Sequence, residues 1–392
     1  MRKLFALIAL LYCTTFYSYS NRIPETIDIL IFGGENLTRF SLTPTLGNYH
    51  LVDHHNRVLM KLEFHNTIHF RSTAHGIEII RNDSVLFRRD TIIVRGISFA
   101  NSFMVRPANN NTDYRVYDGN LIISQANNIF RLINRSPLES YVAGTVQSEA
   151  GFNRHNVFYQ VQAIIIRTYA MRNLNRHRSE GFSLCDRVHC QAYYGKTFDP
   201  DIIAAVEHTR GEVVVDQNSA LLNTVYHANC GGETVNSEDL WVQAMPYLRS
   251  RIDTFCLHKP GARWTATIPV AEFRSFLHNT IGQKPSENLW EEITQKRQNS
   301  RVHFLDATRQ IPLRRVREHF RLRSTFFDIT QSGQMLQFTG RGFGHGVGLC
   351  QEGAMERARH GHTREQILNF YYQNTRIIIL EPTPNIDQLA MP

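Results

Sequence analysis

Glu149 stands near the end of the string SPLESYVAGTVQSEAG, two residues before Gly151. A glycine stop there puts the carboxyl at or just past a helix C-terminus, where the negative end of the helix dipole opposes a second negative charge and raises its pKa. A carboxyl that keeps its proton suits general acid catalysis. Helical spacing can turn Gln162 and Arg167 toward Glu149, and it fits an ordinary surface cation equally well. Cys185, His189 and Cys190 lie within six residues, and His177 stands eight residues before Cys185. Thiolates at short spacing with interposed imidazoles are how a loop closes on zinc as a tetrahedral Cys2His2 site. The competing use of Cys185 and Cys190 is a disulfide in an oxidising compartment. His345 sits at the centre of a loop where Gly340, Gly342, Gly344, Gly346 and Gly348 allow tight turns and close approach to a ligand. That loop has neither the Lys-Ser/Thr pair nor the distant ribose-binding acid that a phosphate cradle requires.

The elements that must hold these residues can be outlined. Ser136, Pro137 and Glu139 predict a capping box with proline at the first helical position, followed by a buried stripe of Leu138, Tyr141, Val142, Thr145 and Val146. A second helix is expected over 156–173, with Val157, Val161, Ile164, Ile165 and Thr168 on one face and Gln160, Ala163 and Arg167 on another. Residues 21–130 alternate apolar and polar side chains in short strings broken by Gly, Asn and Asp, and Asp118-Gly119 suggests a hairpin turn. His50, His54, His55, His65, His69 and His75 share no ligand spacing. Beyond Gly195 a hairpin is expected over 204–216 and 219–228, then a helix over 270–277, a polar run at 295–301 and a strand-like stretch ending at 338. A helix over 349–360 ends at Gly361, Thr363 and Gln366 cap another, and 376–380 forms a closing strand.

The strings SEAGF, QAIIIRTYA and CQAYYG, then YHANCGGETVNSEDLW with PYLRS, then GRGFGHGVGLCQEGA, stand in one order between about residues 130 and 380. Together they resemble the SpoIID/LytB domain family of peptidoglycan lytic transglycosylases. The resemblance implies a mixed α+β catalytic domain over 131–392, with an insertion at about 257–338 and the β-rich region 21–130 packed against it. It implies that Glu149 alone serves first as acid toward the glycosidic oxygen and then as base toward the sugar's own 6-hydroxyl, leaving a 1,6-anhydro-N-acetylmuramic end. Gln162, Arg167, Gln191, Tyr226, Ser237, His345 and Gln351 stand in the matching motifs as candidate substrate-binding residues. Some members of the family carry zinc near the cysteine turn, which favours a structural zinc on His177, Cys185, His189 and Cys190. The partner implied is the peptidoglycan glycan strand.

Composition agrees with an exported protein. Arg2 and Lys3 precede an apolar run over 4–12, and Ser18 and Ser20 supply small residues for cleavage after residue 20. The run is too short to span a bilayer, and Tyr12 is too bulky to precede a lipidated Cys13. The expected location is the periplasm or cell wall. The formal charge of +8 falls to +6 without Arg2 and Lys3, a mild excess that suits an anionic wall polymer or a solvated surface. No basic block interleaved with aromatics points to nucleic acid. Among the remaining cysteines, Cys230 and Cys256 are expected to form a disulfide closing a loop of 26 residues, worth about 3 kcal/mol. The resemblance offers Cys230 with Cys350 as the alternative pair. Two other functions stay open: a non-catalytic wall-binding or amidase-enhancing protein on the same fold, and a zinc-dependent wall hydrolase, which four protein ligands on the metal would disfavour.

Overall fold

The computed structural model describes residues 22–108, 113–241 and 243–383. The expected signal segment 1–20, with Cys13, lies outside the described residues. Period-two alternation in the first hundred of them folds into two sheets. One runs in the order Arg115–Asp118, Ser102–Pro107, Arg39–Leu46, Ile68–Thr73, Gly76–Arg81, Ser84–Arg89, antiparallel throughout. The other runs Leu184–Cys185, Thr26–Ile31, Ile129–Pro137, Asn120–Ala126, Ile92–Gly96, Tyr49–Asp53, Val58–Leu62, and only Leu184–Cys185 is parallel to its neighbour. Their apolar faces meet: Phe40 packs edge-on against Phe130 with ring centroids 4.9 Å apart, and Tyr49 against Phe103 at 5.9 Å. The protein is a mixed α+β fold, as its sequence suggests.

Asp118-Gly119 is not a hairpin turn. The strand before it belongs to the first sheet and the strand after it to the second, so the pair forms the corner between them. Gly119 has φ +87°, and a Cβ there would lie 2.2 Å from the Arg135 carbonyl oxygen, so the corner requires glycine.

Helix α1 (Leu138–Ala150) leaves the second sheet directly. The expected capping box is absent. Ser136 is still a strand residue, paired with Ile27, and its hydroxyl donates to the Pro137 carbonyl at 3.1 Å. Pro137 caps the helix with no side-chain bond, and Glu139 is left for another partner. Helix α2 (Asn156–Arg172) supplies it. The two-faced pattern expected for α2 is also corrected, because residues 158–159 and 161–170 are all buried. Such a helix is surrounded by protein on every side.

Arg167 is therefore neither a surface cation nor a neighbour of Glu149. It is wholly buried, its Nε donates to Glu139 Oε1 at 3.0 Å, and its Nη2 donates to Glu139 Oε2 at 2.5 Å. Nη1 and Nη2 also donate to the carbonyls of Glu212 and Val206. The planar fork meets one carboxylate and two carbonyls at once, which a lysine cannot do.

Helix α3 (Pro200–His208) takes the start of the hairpin expected after Gly195, while its turn at Gln217 and Asn218 is kept, with Val215 paired antiparallel to Leu221. Asp199 caps α3 through the N–H groups of Asp201 and Ile202, with Pro200 at the first position, where its missing N–H costs nothing. Glu212–Val215 pairs with Arg376–Ile379, and Tyr226–His227 pairs in parallel with Leu349–Cys350. Helices α4 (Val270–Ile281), α5 (Glu287–Thr294) and α6 (Leu313–His319) pack on a three-stranded sheet in the order Arg263–Pro269, Met335–Arg341, Phe326–Ser332. They enclose a second core that includes Phe273, Leu277, Trp290 and Phe338. Helices α7 (Gln351–Arg359) and α8 (Arg364–Tyr371) complete the chain, and α8 carries the Thr363/Gln366 capping box. Among the described residues no helix is long and apolar enough to cross a membrane.

Removing one partner of a buried ion pair leaves the other charge uncompensated. Arg167→Ala should lower unfolding free energy by about 3–5 kcal/mol, and Arg167→Lys should recover only a minor part, both read from urea denaturation. Wild-type stability in the alanine variant would mean that Glu139 is solvated instead.

Candidate functional site

Glu149 lies in the last turn of α1, which Gly151 stops with φ +71° as expected. Its carboxyl is half-buried, and Oε1 accepts the Ala192 N–H at 2.8 Å. The Tyr226 hydroxyl is turned toward the same carboxyl and toward Gln191. Burial raises the Glu149 pKa above its ordinary value, opposed by the Ala192 N–H and Tyr226. The direction is the one expected from the helix end, but the chief cause is desolvation. No second carboxylate is among the groups that set this proton affinity.

The segment 192–195 is laid along α1. Besides the Ala192 bond, the Tyr194 N–H donates to Ser148 Oγ at 3.1 Å, and Ser148 Oγ donates to the Gly144 carbonyl. Gly144 permits this approach: a Cβ there would stand 2.1 Å from the Gly195 oxygen and 2.7 Å from the Tyr193 ring. Tyr141, one α1 turn earlier, donates its hydroxyl to Gln191 Oε1 at 3.0 Å.

From the other side come Gln162 of α2 and Gln351 at the start of α7. The Gln351 amide donates to the Glu149 carbonyl at 3.4 Å and to Gln162 Oε1 at 3.5 Å. The buried amide nitrogen of Gln162 has no hydrogen-bond partner among the described residues, while Gln191 is held between the hydroxyls of Tyr141 and Tyr226. Buried polar atoms are rarely left as that of Gln162 is.

His345 supports this cluster from behind. Its Nε2 donates to the Tyr226 carbonyl at 2.9 Å while its Nδ1 accepts the Val347 N–H at 3.1 Å. Desolvation pushes its pKa down to about 4. Both nitrogens are engaged, and the glycine loop around it carries φ of +113° at Gly344 and +86° at Gly346. A cavity of about 660 Å³ lined by Val235, Asp239, Arg301 and His303 opens beside it.

Of the residues singled out in the sequence, Glu149, Gln162, Gln191, Tyr226 and Gln351 therefore come together, with His345 bracing Tyr226. Arg167 and Ser237 do not join them. Ser237 is wholly buried, and its hydroxyl accepts the Met245 N–H at 2.7 Å, which makes it a loop fastener. Sequence reasoning missed the Ala192 N–H, since a backbone donor has no side-chain signature. It also missed His227, buried with Nδ1 on the Val347 carbonyl and Nε2 unpartnered.

His177, Cys185, His189 and Cys190 converge so that one ligand atom from each lies within 4.8 Å of all the others, a group that could hold a metal ion. His177 Nε2 is 3.4 Å from Cys190 Sγ, while its Nδ1 is 2.5 Å from Glu180 Oε1. A carboxylate behind a metal-binding imidazole fixes the tautomer that leaves Nε2 free to ligate. His189 Nδ1 is 3.8 Å from Cys185 Sγ and 3.7 Å from Cys190 Sγ. Hydrogen bonding from Cys190 holds the Cys185 thiol down to about 4. The two sulfurs are not joined, and the donor set suits a soft divalent ion.

The fold and site thus define an α+β protein with one half-buried glutamate at a helix end, amides converging on it and a Cys/His cluster beside it. The SpoIID family, described as stage II sporulation protein, matches residues 126–215, a span that holds Glu149 and the whole Cys/His cluster. Stage II sporulation protein D of Bacillus subtilis (strain 168) is 28% identical over 275 residues, 64% of this chain and 78% of that protein. The protein of the same name from Bacillus amyloliquefaciens is 28% identical over 275 residues, 64% of this chain and 77% of its own. The amidase enhancer of Bacillus subtilis (strain 168) is 23% identical over 340 residues, 71% of this chain and 47% of that protein. The chain is thus similar to the SpoIID family over 126–215, and the likeness to its curated relatives extends over most of the chain.

Gly144→Ala should push 192–195 away from α1, taking the Ala192 N–H off Glu149, and cost about 1–3 kcal/mol as an overpacking change. Urea denaturation checks the loss, and an unchanged midpoint would show that the segment can shift freely.

Proposed function

We propose that this protein is a cell-wall enzyme, a peptidoglycan lytic transglycosylase in which Glu149 is both acid and base. The observation that carries the reading is the desolvated Glu149 carboxyl, raised in pKa, with glutamine amides beside it and, among the described residues, no second carboxylate among the groups that shift it. Hydrolases that cleave glycosides commonly use two carboxylates, whereas a lone acid needs a nucleophile already present in the substrate. Protonated Glu149 gives its proton to the glycosidic oxygen as the bond from that oxygen to the N-acetylmuramic anomeric carbon breaks. The carboxylate so formed takes the proton from the 6-hydroxyl as that oxygen bonds to the anomeric carbon. Glu149 ends as it began, and the product ring is 1,6-anhydro.

The amides of Gln162, Gln191 and Gln351 suit the acetamido and hydroxyl groups of a glycan. Tyr226 holds the Glu149 carboxyl in place, and His345, with both nitrogens engaged, positions Tyr226. An exported setting, periplasm or cell wall, follows from this substrate.

His177, Cys185, His189 and Cys190 would hold a zinc ion that supplies no open coordination position and so acts structurally. Gln191 and Ala192 follow Cys190 directly, so closing the cluster fixes the loop that presents the Ala192 N–H and the Gln191 amide to Glu149. Purified protein should lose a zinc equivalent in Cys185→Ser, with lowered stability; a Cys185–Cys190 disulfide in non-reducing peptide mapping would refute this.

Glu149→Gln keeps the shape and removes the transferable proton, so cleavage of purified peptidoglycan should fall at least ~100-fold with glycan binding retained. Because the acid form is required, kcat should decline as pH rises through the Glu149 pKa, which lies above that of an ordinary glutamate. Mass analysis should find 1,6-anhydro ends in the wild-type digest. The likeness to an amidase enhancer favours a second reading, a wall-binding protein without chemistry. That reading gains if wild type binds glycan, yields no cleavage products and is indifferent to Glu149→Gln.

A further inference from the structure

Cys230, Cys256 and Cys350 were expected to include one disulfide pair, but no sulfurs are joined. All three converge instead. Cys230 follows the strand Tyr226–His227, Cys256 ends the short helical turn Thr254–Cys256, and Cys350 caps α7. Asp253 joins them, and one ligand atom from each of the four lies within 4.8 Å of the others. Cys230 Sγ is 3.3 Å from Cys256 Sγ and 3.8 Å from Asp253 Oδ2. A tetrahedral zinc with sulfur bonds of ~2.3 Å has edges near ~3.8 Å, so the cluster has the size of one coordination shell. All four residues are wholly buried.

The surroundings favour negatively charged sulfur. The N–H groups of Cys230 and Gly353 donate to Cys350 Sγ at 3.2 and 3.3 Å, the second from the first turn of α7. Arg357 donates to Asp253 Oδ1 at 3.1 Å, and the Tyr371 hydroxyl donates to Oδ2 at 2.6 Å. Arg301 donates to the Cys230 carbonyl at 2.6 Å. Three thiolates and a carboxylate around a divalent ion leave two negative charges, and two guanidiniums stand against them. A disulfide would use two sulfurs and leave a third sulfur and a carboxylate buried with no bond to each other. A metal employs all four groups, and buried charges are tolerated where they are paired or coordinate an ion.

We propose that Cys230, Cys256, Cys350 and Asp253 form a second structural site for a soft divalent cation, zinc by its sulfur-rich ligands. The site is separate from the Cys/His cluster and does not depend on the reaction assigned to Glu149. It fastens together the two short strands that bear Tyr226 and lead into Gln351.

The test is metal analysis of the full chain purified without chelator. Cys350→Ser and Cys256→Ser should each lose one zinc equivalent relative to wild type, while Cys185→Ser keeps that equivalent. To keep the test independent of how these variants fold, unmutated protein is also alkylated with and without a strong chelator. Cys230, Cys256 and Cys350 should be protected in native protein and modified together once zinc is removed, with a fall in Tm. A Cys230–Cys256 or Cys230–Cys350 disulfide in the non-reducing peptide map would overturn the proposal. So would zinc content unchanged in folded Cys350→Ser, or thiol protection indifferent to the chelator.

Discussion

Helices α1, α2 and α3 are organised around one buried cation. Helix α2 has protein on all sides, so a guanidinium at Arg167 must be met by partners brought from elsewhere. Glu139 supplies the carboxylate from the start of α1, and the carbonyls of Val206 and Glu212 supply the remainder from α3 and the strand after it. One side chain therefore sets where three elements lie relative to α2. The two glutamates of α1 receive opposite treatment as a result. Glu139 is matched by a fixed positive charge at one end, while Glu149 at the other end is given a backbone N–H, a phenol and a desolvated setting.

How far the sequence anticipates this depends on whether the determinant is local. The stop at Gly151, the stripe from Leu138 to Val146 and the capping box at Thr363 are encoded in neighbouring residues, and they stand where expected. The apparent box at Ser136 fails because the second sheet claims that residue for pairing with Ile27, a competitor distant in the chain. Asp118-Gly119 has hairpin chemistry but serves as a corner, because the turn residues specify a bend and not which sheet receives the next strand. Arg167 was misjudged since a charged residue in an apolar run gives no sign of a carboxylate 28 positions earlier.

The candidate site divides in the same way. Glu149 and the Cys/His cluster are compact in sequence and legible there. The gathering of Cys230, Asp253, Cys256 and Cys350 is not, since one member lies about a hundred residues from the others and the acid carries no motif. Arg301 stands in a run read only as polar, yet its guanidinium reaches the carbonyls of Cys230 and Glu233 and stacks over Phe326. Backbone donors such as Ala192 leave no trace in composition at all.

The parallel pairing of Tyr226–His227 with Leu349–Cys350 spans more than a hundred intervening residues, among them an entire lobe with its own core. Loop-closure entropy makes such a contact slow to form and rewarding only late. The N-terminal sandwich, with its short hairpins, can consolidate well before the C-terminal helices are available to complete the cluster around Glu149. The cluster around Glu149 is thus completed only at the end of synthesis: a nascent or truncated chain that stops before His345 holds Glu149 but neither Gln351 nor His345. The topology leaves the cluster around Glu149 incomplete in an unfinished molecule.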